Sequence, residues 1–152
     1  YVFGPDGEEV DYKYTFGPTG TAYLDPDQEK IAYLNQLTYL TKILKETIEN
    51  LQENSDNQAI IIVQSDTGPS TNFGDRTNKM AQIDRMSIFN AYYFPNGQYD
   101  LLSNDITPVN SFRIVFDSHF QTNYGLVNDS VFYSTYEKPY TFIEITDFSI
   151  VR

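Results

Sequence analysis

Asp66 is the residue whose setting most invites chemistry. It follows the run Ala59-Ile60-Ile61-Ile62-Val63-Gln64-Ser65 and stands two places before Gly68. A continuous β-branched run closed by Ser-Asp-Thr-Gly-Pro reads as a buried strand that stops abruptly. In open α/β sheets the loop at the carboxyl end of such a strand is where ligands bind. A carboxylate there can be a hard-metal or zinc ligand. It can equally cap the following turn through an Asx-type hydrogen bond. The residues alone leave both readings open.

Little else in the chain could complete an active site. The one histidine, His119, excludes any mechanism within these 152 residues that needs two. Its spacing from Phe112, Phe116 and Phe120 puts it on or beside the apolar face of a helix. It is expected there as a partly buried side chain with a local hydrogen bond. Zero cysteines exclude a disulfide scaffold, thiolate catalysis and Cys-ligated zinc. The sequence holds no Gly-x-Ser-x-Gly elbow, no phosphate loop and no dinucleotide fingerprint. The acidic clusters Glu8-Glu9-Asp11 and Asp25-Asp27-Glu29 lack the alternating oxygens and central glycine of a calcium loop. They read as solvated charge or as helix N-terminal charge. Asn128-Asp129-Ser130 fits the glycosylation sequon, a short match that chance also supplies. Tyr92, Tyr93, Tyr99, Tyr133, Tyr136 and Tyr140 are expected in strand packing, with a carbohydrate-binding face as the other use.

The elements that must position these residues follow from periodicity and punctuation. Residues 1–25 form an irregular, acidic lead-in with turn signals at Gly4-Pro5-Asp6-Gly7 and Gly17-Pro18-Thr19-Gly20. Their shared Phe-Gly-Pro is not a repeat, since nothing else recurs at that spacing. From Pro26 to Glu53, Ile31, Leu34, Leu37, Leu40, Leu44, Ile48 and Leu51 fall three or four apart, the stripe of an amphipathic helix. Asp25 suits its N-cap, Pro26 its first position, and Gln28 completes a capping-box spacing. Asn54-Ser55-Asp56-Asn57 breaks it. The helix, the break and the strand Ala59–Val63 together make half of a βαβ unit, which predicts an α/β fold with a parallel sheet. Residues 68–82 read as a polar surface loop and Ser87–Phe94 as a second strand closed by Pro95-Asn96-Gly97. Thr107-Pro108 opens a second helix, its apolar face drawn from Val109, Phe112, Val115 or Phe116, and Phe120. Val131–Tyr136 and Tyr140–Thr146 read as late strands joined through Lys138-Pro139.

Composition narrows the function classes. Ten Lys and Arg against 21 Asp and Glu give a net charge of −11. That balance argues against nucleic acid, whose binding needs cations to displace counterions, and against docking on an anionic membrane. Aromatic residues at 16% are too many for a disordered acidic chain. The longest apolar run, Ala59 to Val63, is far below the roughly 20 residues that cross a bilayer, so no direct membrane insertion is expected. The chain starts at Tyr1 with no visible signal peptide, and is expected to be a single partial domain, 1–152, cut from something longer.

The order of features also carries a family resemblance. Ile60-Ile61-Ile62-Val63-Gln64-Ser65-Asp66-Thr67-Gly68-Pro69 resembles the strand and loop that bear an Asp-His-Gly motif in sulfatase-like hydrolases of the alkaline phosphatase superfamily. Tyr33–Leu40 is similar to the helix leading into that motif. Asn90–Pro95, Ile106–Arg113 and Val2–Gly7 resemble a branch of large, often membrane-anchored members.

The resemblance implies the C-terminal part of an alkaline-phosphatase-like domain, a mixed sheet with helices on both faces. It implies metal-assisted hydrolysis of phosphate or sulfate esters, with zinc, calcium or manganese as the divalent metal. Asp66 takes the place of the metal-ligand aspartate. Position 67 is Thr where the family has a ligand histidine, and His119 matches no ligand position. The family's nucleophile lies earlier in the domain. The implied partner is therefore the upstream part of the same polypeptide, and the implied setting is an extracytoplasmic, membrane-tethered parent. One ligand cannot hold catalytic zinc, which wants three and a water, so this chain alone is expected to be inactive and the parent degenerate. A non-catalytic acidic, Tyr-rich binding or structural module is the alternative. Self-association is the other contact a partial domain invites.

Overall fold

The computed structural model describes residues 1–16, 22–69, 79–104, 106–135 and 137–145. Among them the order is β1 (Thr15–Phe16), β2 (Ala22–Tyr23), α1 (Pro26–Asn54), β3 (Ile61–Gln64), α2 (Lys79–Met86), β4 (Asn90–Tyr93), α3 (Pro108–Phe120), β5 (Phe132–Tyr133) and β6 (Ile143–Glu144). The class is mixed α and β. The strands form three two-stranded sheets, β1–β2, β3–β4 and β5–β6, all antiparallel.

α1 starts and stops where its punctuation lies. Asp25 Oδ1 accepts from the Asp27 N–H at 3.1 Å, Pro26 occupies the first turn, and Asp27 and Glu29 add acid there. At the far end Asp56 (φ 50°) and Asn57 (φ 59°) turn left-handed. The Asn57 N–H reaches the Gln52 carbonyl at 2.8 Å and the Asp56 N–H reaches Glu53 at 3.3 Å. This is a Schellman stop built on Asp and Asn, residues that tolerate positive φ better than most. The lead-in packs along one side of the helix. Gly4–Gly7 closes a turn, Phe3 bridges Glu9, and Phe3 rests on Tyr39 at 5.2 Å. Gln36 Oε1 accepts from the Val2 N–H, and Lys42 Nζ donates to the Pro5 carbonyl and pairs with Asp6. Ala32 is the buried residue of α1. The leucine stripe is largely uncovered: Leu34, Leu37 and Leu51 remain 47%, 45% and 46% exposed.

The core sits between the β3–β4 ribbon and α3. Ile61 pairs with Tyr93, Ile62 with Tyr92, Val63 with Ala91 and Gln64 with Asn90. On one face Ile60, Ile62 and Tyr92 pack with Leu102 and Ile106 against Phe94, Ile114 and Val115. Tyr99 stacks on Phe94 at 5.3 Å, and its hydroxyl donates to the Phe94 carbonyl while accepting from the Phe94 N–H.

Four expectations are corrected here. β3 pairs antiparallel with β4, not in a parallel sheet, and only Ile61 of the strand is buried. A β-branched run encodes burial but not strand direction. Lys79–Met86, of which residues 79–82 were expected in the loop 68–82, is helix α2, with Ala81 and Ile83 buried. The strand expected from Ser87 starts at Asn90. The face of α3 is also turned: Val109, Phe112, Phe116 and Phe120 are exposed, while Asn110, Ser111, Ile114 and Val115 are buried.

The start of α3 agrees with the sequence reading, and the late strands pair as expected but are shorter than Val131–Tyr136 and Tyr140–Thr146. α3 begins at Pro108 after Thr107, although the Thr107 hydroxyl donates to Asp129 Oδ1 at 2.7 Å and does not cap the helix. β5 and β6 form the expected hairpin, with Lys138 in its turn. Gly17–Gly20, Tyr136 and Thr146 lie outside the described residues. Beyond α3, the Asp117 carboxylate accepts from Thr122 Oγ1 at 2.7 Å and from the Tyr124 and Gly125 N–H groups at 2.8 and 2.9 Å. These donors, the Thr122 hydroxyl first, hold its carboxyl below the ordinary value.

Candidate functional site

Two anchors fix the loop at the carboxyl end of β3. The first is Ser65, whose N–H donates to the Phe89 carbonyl at 2.9 Å while its Oγ accepts from the Phe89 N–H at 2.9 Å. The second is Gly68, buried, whose N–H donates to the Arg85 carbonyl at the end of α2 at 2.8 Å. A Cβ on Gly68 would lie 1.9 Å from the Asp84 carbonyl oxygen and 2.5 Å from that of Ser87. Both obstacles are backbone, so only glycine lets the loop lie this close to α2. Between the anchors Asp66 is exposed and Thr67 half-buried. Among the described residues no hydrogen bond holds the Asp66 carboxylate. The Asx-turn bond that would make it a simple cap is therefore not formed there.

The strand behind the loop is tied down by a polar network that sequence reasoning missed. Gln64 Nε2 donates to Asn90 Oδ1 at 3.2 Å and to Ser111 Oγ at 3.3 Å. Asn90 Nδ2 donates to the Tyr92 hydroxyl at 2.6 Å, and that hydroxyl shares a 2.6 Å bond with Ser111 Oγ. β3, β4 and α3 are thus joined at one point, one residue before Ser65. Asn110 makes a second tie, donating to the Val127 carbonyl and accepting from the Val127 N–H, both at 2.9 Å. No motif flags these residues; the only signal is polarity at helical spacing from Ile114. Beside the network, Asn90, Ala91, Tyr92, Leu102, Ser103 and Asn104 line a cleft of about 300 Å³. Its side chains are uncharged, so it offers hydrogen bonds but no acid, base or metal ligand.

Other candidate residues lie apart from this loop. His119 sits edge-on to Phe94, ring centroids 4.9 Å apart, and neither ring nitrogen has a hydrogen-bond partner among the described residues. The local bond expected for it is absent there, and its packing role stands. Tyr92 and Tyr93 are neighbours on one strand and so face opposite ways. Tyr92 packs toward α3, the Tyr93 hydroxyl reaches the Asn57 carbonyl, and Tyr140 is 90% exposed. They do not make one tyrosine face.

The chemistry available to this arrangement is limited. Among the described residues no three His, Cys, Asp or Glu side chains come together. A divalent metal does not fit the residues present, because Asp66 supplies one carboxylate and Thr67 a neutral hydroxyl, a poor ligand. Thr107, Thr122 and Ser130 donate to the carboxylates of Asp129, Asp117 and Glu144, and among the described residues no serine or threonine hydroxyl bonds to His119. Compared with family models, curated proteins and solved structures, the chain matches none.

Proposed function

We propose that the chain is the C-terminal part of a sulfatase-like, alkaline-phosphatase-like ester hydrolase domain, and that by itself it is catalytically silent. Asp66 is its one contribution to a divalent-metal site (zinc, calcium or manganese), and the remaining ligands and the nucleophile come from the upstream part of the same polypeptide. The observation that carries this reading is the loop geometry. A carboxylate with no hydrogen bond among the described residues is presented at a strand end between two anchors, one of them a glycine whose Cβ position is filled by backbone. Thr67 in place of a ligand histidine marks the parent as degenerate.

The uncovered leucines of α1 add support, since a helix face of that kind is ordinarily buried within a domain. In the same reading the parent is extracytoplasmic and membrane-tethered. Among the described residues no helix is long and apolar enough to cross a membrane, so the tether belongs to another part of that parent. The alternative is a Tyr-rich binding module; of its tyrosines, Tyr92 and Tyr93 face opposite ways on one strand.

The test is hydrolysis of an aryl phosphate and an aryl sulfate by the isolated chain, with Zn²⁺, Ca²⁺ and Mn²⁺ added in turn. The expected result is no turnover above that of the Asp66→Ala variant. Turnover that Asp66→Ala abolishes would overturn the claim of silence.

A further inference from the structure

The turn after β4 holds a reactive pair that the candidate site does not use. Asn96 is exposed, and Gly97 follows it at φ 66° with nothing within 4 Å of the place a Cβ would occupy. Asn96 Oδ1 accepts from the Gln98 N–H at 3.1 Å. A bond from a side-chain oxygen to the N–H two residues on folds the side chain back over the peptide between them. Here that peptide contains the Gly97 nitrogen, the atom that would attack the Asn96 Cγ. The same bond draws electron density from the side-chain carbonyl and makes Cγ more electrophilic. The side-chain nitrogen Nδ2 donates to Gln98 Oε1 at 3.1 Å and to the Ser118 carbonyl, near the end of α3, at 3.4 Å.

We propose that Asn96 is a site of spontaneous deamidation in the folded chain, proceeding through a cyclic imide. The Gly97 nitrogen loses its proton to hydroxide or another base in solution and attacks Asn96 Cγ. The N–Cγ bond forms, the Cγ–Nδ2 bond breaks, and Nδ2 takes a proton from water and leaves as ammonia. Water then opens the five-membered ring. Addition at Cγ restores the normal backbone with an aspartate, and addition at the Asn96 backbone carbonyl carbon gives isoaspartate. No electrons are transferred, and water is the only co-reactant. The Gly97 N–H must first release the Phe94 carbonyl, which it holds at 3.0 Å. That is one bond at an exposed loop tip, the kind of opening that costs a folded chain least.

Either product takes the net charge from −11 one unit lower. Both also remove the donor that ties the turn to Ser118. Isoaspartate further adds a methylene to the backbone two residues after Phe94, the buried ring at the centre of the core. The modification therefore loosens the link between β4 and α3.

The experiment holds the intact chain at mildly alkaline pH, then digests it and maps the peptides by mass, with the Asn96→Gln variant and a urea-unfolded sample alongside. Folding of each variant is checked by circular dichroism. The peptide bearing Asn96 is expected to convert from amide to acid and to split into two isomers. It should do so roughly tenfold faster than the peptide bearing Asn110, because glycine has no Cβ to block the approach to Cγ and because the Asn110 amide is buried and bonded to Val127. In Asn96→Gln the conversion at this position should disappear. An Asn96 that stays unmodified in the folded chain, whether or not the urea-unfolded chain converts, would overturn the proposal. So would conversion at Asn96 no faster than at Asn110.

Discussion

Gly68 shows how one residue can hold a candidate site in shape without touching a ligand. Its Cβ position is filled by the carbonyl oxygens of Asp84 and Ser87, which are backbone and cannot rotate away. Gly68→Ala is therefore expected to destabilise the chain by about 1–3 kcal/mol, the usual cost of forcing atoms into a packed site. A urea unfolding curve checks this; an unchanged midpoint would mean that the loop can lift off α2 freely. Asp66 was visible in the sequence because a strand end is a place ligands favour. Gln64, Asn110 and Ser111 were not visible. Their importance lies in bonds that span 17 to 47 residues of chain, and no local pattern encodes such pairings. The buried amide of Asn110 replaces a strand partner for Val127, a use of asparagine that looks in sequence like an ordinary polar helix position.

At the scale of elements, legibility followed punctuation. Both ends of α1 and the start of α3 were legible because Asp25-Pro26, Asn54–Asn57 and Thr107-Pro108 carry them in residue chemistry. α2 has eight residues and is half polar, too short for its period to stand out beside the polar run before it. α3 was largely turned the wrong way because Val109, Phe112, Phe116 and Phe120 form the more hydrophobic stripe, yet the sheet takes Ile114 and, of the pair Val115 or Phe116, Val115. The exposed stripe of α1 makes a prediction at this scale. α1 is roughly 43 Å long at 1.5 Å per residue, and a leucine face of that length left in water favours association. The chain is expected to sediment with a concentration-dependent mass. The triple variant Leu34→Gln, Leu37→Gln, Leu51→Gln should be monomeric with its helix content retained. A wild-type chain that stays monomeric at every concentration would contradict this.

For the whole molecule, surface area and site chemistry point the same way. Among the described residues, apolar surface stays open on α1 and on the β5–β6 hairpin, where Phe132, Phe142 and Ile143 are exposed. A molecule so incompletely covered, with one carboxylate poised at a strand end, fits a part that works only inside a larger domain. The most direct test of that account is calorimetric titration of the chain with Zn²⁺, Ca²⁺ and Mn²⁺, repeated with Asp66→Ala. The account predicts no saturable binding by either protein. A saturable one-to-one site that Asp66→Ala removes would show that these residues build a metal centre of their own, and would contradict it.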